Sequence, residues 1–339
     1  MKVLSLFDGM SCGQIALQKA GIIYSDYFAS EIEKAPMQVA KANFPNMHHI
    51  GDVRLLNVPE NLHIDLLIGG SPCQSFSFAG KRNGMTTKCE LEIKTLGEYL
   101  KLKEEGFEFE GQSYLFWEYM RLAYQAKPKW FLLENVMMDA KWEAIISEAL
   151  NCKPVFINSN SVSAQNRKRL YWTNIPFDMS FAEKESELQL GHVIEEESID
   201  FQLTSTIEFK KLKAQLEQTF IDGLLFEHIE RNIWTERVFK KDKNTLAYRK
   251  LFSQLKSLYD KSNCLTTSGQ NFSNSGSTNI VFITKEGKLN IRPLNPTECE
   301  RLQTVPDGYT AGVSRNKRIS MLGNGWTVDV IANIFKGIS

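Results

Sequence analysis

Residues 64–74 read Ile64-Asp65-Leu66-Leu67-Ile68-Gly69-Gly70-Ser71-Pro72-Cys73-Gln74. A short apolar run bounded by Gly and Pro predicts a buried strand of a parallel sheet. The loop after such a strand lies at the carboxyl edge of the sheet, where open α/β folds place their chemistry. Pro72 stiffens that loop, so Cys73 is held on a fixed turn pointed out of the fold. On this stretch alone two readings stay open. Cys73 is a small buried side chain, as most free cysteines are, or it is a nucleophile, the most reactive one a protein carries at neutral pH.

Outward from this loop, the first 175 or so residues alternate between two patterns. Strands are predicted over residues 3–7, 27–30, 64–68 and 130–133, and another over 169–172. Helices are predicted over 14–20 and 35–43. Such alternation implies βαβ units and a mostly parallel, doubly wound sheet of the α/β class. Residues 80–111 interrupt the rhythm with a Lys- and Glu-rich excursion that becomes an amphipathic helix over 90–105. An insertion beside an active site is either a lid or a neutral surface excursion. From 178 to 290 the rhythm is lost. A helix start returns at Asn295-Pro296-Thr297-Glu298, and a short amphipathic helix spans 326–335 after Gly323-Asn324-Gly325. The expected division is a catalytic and cofactor-binding domain over 1–177, completed by 316–339, with a smaller domain over 178–315.

The totals bound the class. At 339 residues the chain builds one large domain or two moderate ones. Apolar content of 42% and charged content of 24% describe an ordinary globular protein. No apolar run approaches the ~18 residues of a membrane span, and the first residues lack signal-peptide organisation. Six cysteines (12, 73, 89, 152, 264 and 299) lie far apart with no C-x-x-C pair. That argues against a zinc site and a disulfide framework, so the expectation is a reduced, cytoplasmic protein with no metal and no membrane partner. Net charge is zero, yet residues 231–261 carry nine basic and three acidic residues interleaved with aromatics. Such a stretch is a solvated helix face or a surface that tracks a DNA backbone.

Several short motifs carry chemistry. Phe7-Asp8-Gly9-Met10-Ser11-Cys12-Gly13 ends the first strand and opens a helix, a turn that lets the backbone approach a nucleotide-like cofactor. Neither the dinucleotide fingerprint nor a phosphate-binding loop is met, so a cofactor with a sulfonium and an adenosine fits better. Glu31 closes the second strand, where a carboxylate accepts from ribose hydroxyls, and Asp52 offers a second carboxylate to an adenine amino group. Glu134-Asn135-Val136 ends the strand over 130–133, and a buried glutamate there costs desolvation unless it is used or paired. Gln165-Asn166-Arg167-Lys168-Arg169 sets two arginines at alternating positions.

In this order, with Arg292-Pro293 to Glu298 and Gly323-Asn324-Gly325 following, these motifs closely resemble the cytosine-5 DNA methyltransferases. The likeness runs from residue 3 to residue 337 and is weak only over about 178 to 290. Ser11-Cys12 stands where many bacterial members have Gly-Gly, which makes the turn more similar to the phage-like and animal de novo branch. The resemblance implies a Rossmann-like methyltransferase domain with a smaller target-recognition domain. It implies S-adenosylmethionine as cofactor, held by Phe7, Asp8, Gly9, Met10, Ser11, Cys12, Gly13, Glu31, Ile32, Asp52, Val53, Gly70, Pro72, Asn324, Trp326 and Thr327. It assigns Cys73 as the nucleophile toward carbon 6 of a flipped-out cytosine and Glu134 as the partner of nitrogen 3 and the exocyclic amine. Arg169, with Arg167 nearby, would stabilise charge at the carbonyl on carbon 2. Double-stranded DNA is the implied partner, contacted by Gln74, Ser75, Phe76, Ser77, Lys81, Gln165, Asn263, Thr266 and Thr267. A cognate restriction endonuclease stays open as a second partner. Methylation of tRNA cytosine on the same fold, or an inactive DNA-binding homologue, are the rival readings. The five cysteines other than Cys73 are read as packing.

Overall fold

The structure, a computed structural model, describes residues 1–72, 84–195, 255–256, 258–267, 279–285 and 288–338. Seven strands form the main sheet: β1 (Lys2–Leu6), β2 (Asp26–Ser30), β3 (His48–His49), β4 (Leu66–Gly69), β5 (Trp130–Val136), β6 (Val155–Asn158) and β7 (Lys168–Thr173). Their order is β3-β2-β1-β4-β5-β7-β6. Neighbours are parallel except at β7, which runs antiparallel to both β5 and β6. The strand predicted over 169–172 is therefore present, but in the opposite direction to its neighbours. The chain leaves one position vacant when it places β6, and the connection over 159–167 brings β7 back into that gap.

Strand order reverses between β1 and β4, so the loops after these strands flank a crevice at the carboxyl edge. Alternation along the strands sorts the apolar residues onto two faces. Val3, Leu66, Ile68 and Leu132 face one core, with Ile15 and Leu17 of α1 (Cys12–Lys19). Leu4, Leu6, Leu67 and Leu133 face the other, with Phe116 and Tyr119 of α4 (Phe116–Ala126) and Trp142 of α5 (Ala140–Leu150). The remaining α-helices among the described residues are α2 (Lys34–Asn43), α3 (Leu96–Glu104), α6 (Pro296–Leu302), α7 (Arg315–Asn324) and α8 (Val328–Phe335). A smaller sheet, β10-β9-β8, joins β8 (Leu255–Lys256), β9 (Ile280–Lys285) and β10 (Lys288–Pro293). No helix among the described residues is long and apolar enough to cross a membrane.

Local signals set the helix ends. Asn295 and Glu298 form a capping box at α6, with Pro296 at the first turn. Thr95 and Glu98 do the same for α3. That helix begins later than residue 90, because bridges Thr86–Glu92 and Thr87–Phe109 fold the preceding residues into a small antiparallel unit. Residues 323 and 324 close α7 rather than standing in a turn, and α8 follows after Thr327. Cys299, Leu302, Val305 and Tyr309 share the first core with β1 and α1, so the segment after residue 295 packs directly on the catalytic sheet.

Arg292 and Glu298 account for the Arg-Pro-x-x-x-x-Glu motif. Their buried bidentate pair has Nη2–Oε1 and Nη1–Oε2 distances of 2.5 and 2.8 Å. The carboxylate also accepts from the backbone N–H groups of Glu195 and Asn295. With those bonds made, the motif is a structural joint between β10, α6 and residue 195.

Candidate active site

The turn after β1 is built by backbone geometry. Phe7, Gly9 and Ser11 have φ of 57°, 59° and 63°, all left-handed. At Phe7 and Ser11 that strain is held by hydrogen bonds around Asp8. Asp8 accepts from Ser5 Oγ at 2.6 Å, from Tyr27 OH at 2.7 Å and from Ser11 Oγ. Burial outweighs these donors and pushes its carboxyl up to about 6. Tyr309 OH donates to the Met10 carbonyl at 2.6 Å and pins the far side of the turn. Met10, Ser11 and Cys12 bury their side chains, while residues 7–9 stay partly exposed. Gly13 is a packing residue, since a Cβ there would lie 2.5 Å from Ile68 Cδ1 and 2.7 Å from Tyr27 OH.

Glu31 sits beside this turn. Its carboxylate accepts from the N–H groups of Gly9 (2.9 Å), Ile32 (2.7 Å) and Glu33 (2.8 Å). Ile32 is 60% exposed, an apolar face beside a carboxylate. Asp52 caps the short 3-10 turn Val53–Leu55 and pairs with Arg54, whose guanidinium holds the carboxyl below its ordinary value. Val53 is buried beneath it. Three ends of adjacent parallel strands thus bring an open backbone turn and two fixed carboxylates together. A cofactor with an adenosine and a short polar tail fits that donor set: no atom lies within 4 Å of where a Gly9 Cβ would project.

On the other side of β1 lie β4 and β5. Glu134, at the end of β5, is 8% exposed. Its Oε1 pairs with Arg169 Nε at 2.9 Å, and its Oε2 accepts from Trp326 Nε1 at 3.2 Å. The indole therefore connects the Gly323–Thr327 motif to Glu134. Gly70 makes room for both, because a Cβ there would meet Glu134 Oε2 and Trp326 Nε1 at 3.1 Å each. Asn135, which the sequence reading left without a role, donates to Ser71 O and Ser71 Oγ at 3.2 and 3.0 Å. It fastens the loop just before Pro72 to the strand that carries Glu134. Cys73 and the predicted base contacts Gln74, Ser75, Phe76, Ser77 and Lys81 lie outside the described residues, as does most of the basic stretch over 231–261.

The two arginines of the Gln-x-Arg-x-Arg motif do different things. Arg169 lies against Glu134 and donates to its neighbour's carbonyl, Lys168 O, at 2.8 Å. Arg167 is 2% exposed and donates to the carbonyls of Leu265 (3.2 Å), Gly323 (3.1 Å) and Gly325 (2.9 Å). Its guanidinium joins the segments around residues 167, 265 and 323–325. Gln165, expected at DNA, is fully buried here, donates to Leu302 O and Gln303 Oε1, and accepts from Leu265 N–H at 2.8 Å. Thr327 is buried with its hydroxyl on Gln303 Oε1 at 2.9 Å. Asn324 is exposed, and Asn263, Thr266 and Thr267 remain at least partly exposed beside Arg167 and α7.

Comparisons with known proteins bear on the family and the fold. The family model described as C-5 cytosine-specific DNA methylase matches residues 1–102 and 101–339. Type II methyltransferase M1.ScrFI of Lactococcus lactis subsp. cremoris is 27% identical over 97% of this chain and 76% of its own length. Orphan methyltransferase M.SPBetaI of Bacillus phage SPbeta is 24% identical over 99% of this chain and 97% of its own. Among solved structures, Dnmt2 methyltransferase of S. pombe superposes with a TM-score of 0.62 at 16% identity, covering 99% of this chain and 97% of that one. A prophage-encoded putative DNA modification methyltransferase from E. coli gives 0.59 at 18% identity, over 100% and 98%. At such identities the structural likeness establishes the fold, while the family match extends along the whole chain. The chain belongs to the C-5 cytosine-specific DNA methylase family and is a DNA cytosine-5 methyltransferase.

Proposed function

We propose that the enzyme methylates a flipped-out cytosine of duplex DNA through a transient bond between Cys73 and carbon 6. The observation that carries this reading is the Glu134–Arg169 pair at the carboxyl edge, one strand from the Ser71-Pro72 turn that leads into Cys73. Carbon 5 of cytosine is a poor nucleophile. Attack of a Cys73 thiolate at carbon 6 forms the S–C bond and turns the ring into an enamine, with the electron pair delivered toward carbon 5. Glu134 holds the proton at nitrogen 3 and accepts from the exocyclic amine, which selects cytosine over thymine. Arg169, on the same carboxylate, faces the charge that develops at the carbonyl on carbon 2. Carbon 5 would take the methyl group that a bound S-adenosylmethionine supplies; loss of the carbon 5 proton to solvent and elimination of the Cys73 thiolate from carbon 6 then release 5-methylcytosine.

The family implies S-adenosylmethionine, which supplies an electrophilic methyl group when bound. Glu31 would hold its ribose hydroxyls, Asp52 the adenine amino group and Ile32 the face of the ring, with the Phe7–Gly13 backbone at the methionine end. Arg167 acts as the clamp that fixes the end of α7 and residue 265 around this site. The base must leave the stack for any of this, at a cost of a few kcal/mol. Residues 74–84 are the proposed closing element and 178–315 the target-recognition portion, joined to the sheet through α6. A cytoplasmic location and a cognate endonuclease complete the reading. Methyl transfer from labelled cofactor to duplex DNA and to total tRNA tests it: label in DNA is expected, and label confined to tRNA overturns it.

A further inference from the structure

Cys264 does not behave as a packing residue. Its segment is fixed by backbone contacts on two sides. Ser262 N–H donates to Ala164 O at 2.7 Å, Asn166 N–H to Ser262 O at 3.0 Å, and Leu265 N–H to Gln165 Oε1. On the other side the end of α7 comes so close that a Cβ on Gly323 would lie 2.3 Å from the Thr266 carbonyl carbon. Between these supports, Cys264 Sγ lies 3.4 Å from Arg167 Nη1 and 3.8 Å from Arg169 Nη2.

We propose that Cys264 is a positioning residue for Arg169: its sulfur holds the far end of the guanidinium fork so that the near end stays on Glu134. The fork then has Nε on Glu134 Oε1, Nη1 on Lys168 O and Nη2 on Cys264 Sγ, which fixes its plane. This inference rests on the reading of Glu134 and Arg169 as the groups that handle the base. Two guanidiniums thus face the Cys264 sulfur, which also donates to Leu265 O at 3.4 Å. Burial alone would push the Cys264 thiol up, but the two guanidiniums outweigh it and the thiol is held below its ordinary value. Three of the other cysteines go the opposite way: burial pushes Cys12 up to about 12 and raises Cys152 and Cys299 too. Among the described residues, the titratable and charged groups around Cys264 are Arg167, just before β7, and Arg169 and Tyr171 of β7, with Glu134 of β5 reached through Arg169. The end of α7 presents backbone carbonyls there, at Gly323 and Gly325.

Two measurements on the full chain decide it. Thiolate ultraviolet absorbance, taken as wild type minus Cys264→Ala across a pH titration, should rise below the ordinary thiol range and move upward in Arg169→Gln. In steady-state methylation, Cys264→Ala should lower kcat by about tenfold with cofactor affinity unchanged, a cost typical of a slightly misplaced catalytic group. Cys264→Ser should recover part of the loss, and the acid limb of the kcat–pH curve set by Cys264 should vanish in both variants. Wild-type kcat and pH profile in Cys264→Ala would overturn the proposal, as would a thiol that titrates normally and ignores Arg169→Gln. Should the wild type transfer no methyl to any nucleic acid, the function reading fails instead, and the absorbance titration alone decides the Cys264–Arg169 contact. If Cys264→Ala does not fold, Cys264→Ser takes its place as the reference.

Discussion

The cofactor-side turn and the base-side cluster share one edge of one sheet, yet they are assembled differently. The turn over residues 7–13 is mostly local. Asp8 and Ser11 hold each other, Tyr27 of β2 and Glu31 just after it add bonds to Asp8 and Gly9, and Tyr309 is the distant contact. The cluster around Glu134 is non-local: Arg169 comes from β7, Trp326 from the link between α7 and α8, and Cys264 from a segment 95 residues away from Arg169. A local site keeps its shape when one side chain changes. A site gathered from distant segments depends on every clamp that gathers it.

That contrast can be broken at both ends. The largest effect belongs to the cluster: Glu134→Gln keeps the shape but removes the charge, and should lower kcat roughly a thousandfold with cofactor affinity intact. An unchanged kcat in a radiolabel assay would remove Glu134 from the chemistry. Arg167→Ala strips a buried cation from three carbonyls and should cost about 3 kcal/mol of stability or more, read as a lowered denaturant midpoint. If the loss is confined to kcat in a chain of normal stability, Arg167 touches substrate after all. The smallest effect belongs to the turn. The Asp8 carboxyl is raised, so the stability linked to its protonated form is complete below its ordinary value near 3.8 and is lost as pH rises through about 6. Thermal midpoints of Asp8→Asn should therefore fall less than those of the wild type between pH 4 and 7.

Legibility followed the same contrast. The positions of residues 7–13, Glu31 and Glu134 at strand ends were legible because each motif is contiguous and follows an apolar strand. The burial of Gln165 and Arg167 was not, because burial depends on what covers a residue. Gln165 is covered by residues 302–303, and Arg167 by residue 265 and the end of α7. Alternation put both arginines on one face, but it carries no information about which of them reaches the crevice. The direction of β7 was equally silent, since an antiparallel insertion in a parallel sheet has the same apolar pattern. Helices α4 and α5 passed unread, although Asp139 and Asn151 mark the ends of α5 by an N-cap and a left-handed C-cap.

Covalent trapping tests the account most directly. Duplex DNA with 5-fluorocytosine at the target site lacks the carbon 5 proton, so the bond to carbon 6 cannot be released after methyl transfer. With cofactor present, the wild type should form a denaturant-stable protein–DNA adduct, Cys73→Ala should form none, and Glu134→Gln should form it far more slowly. An active wild type that leaves no adduct, or an adduct that survives Cys73→Ala, would contradict the mechanism.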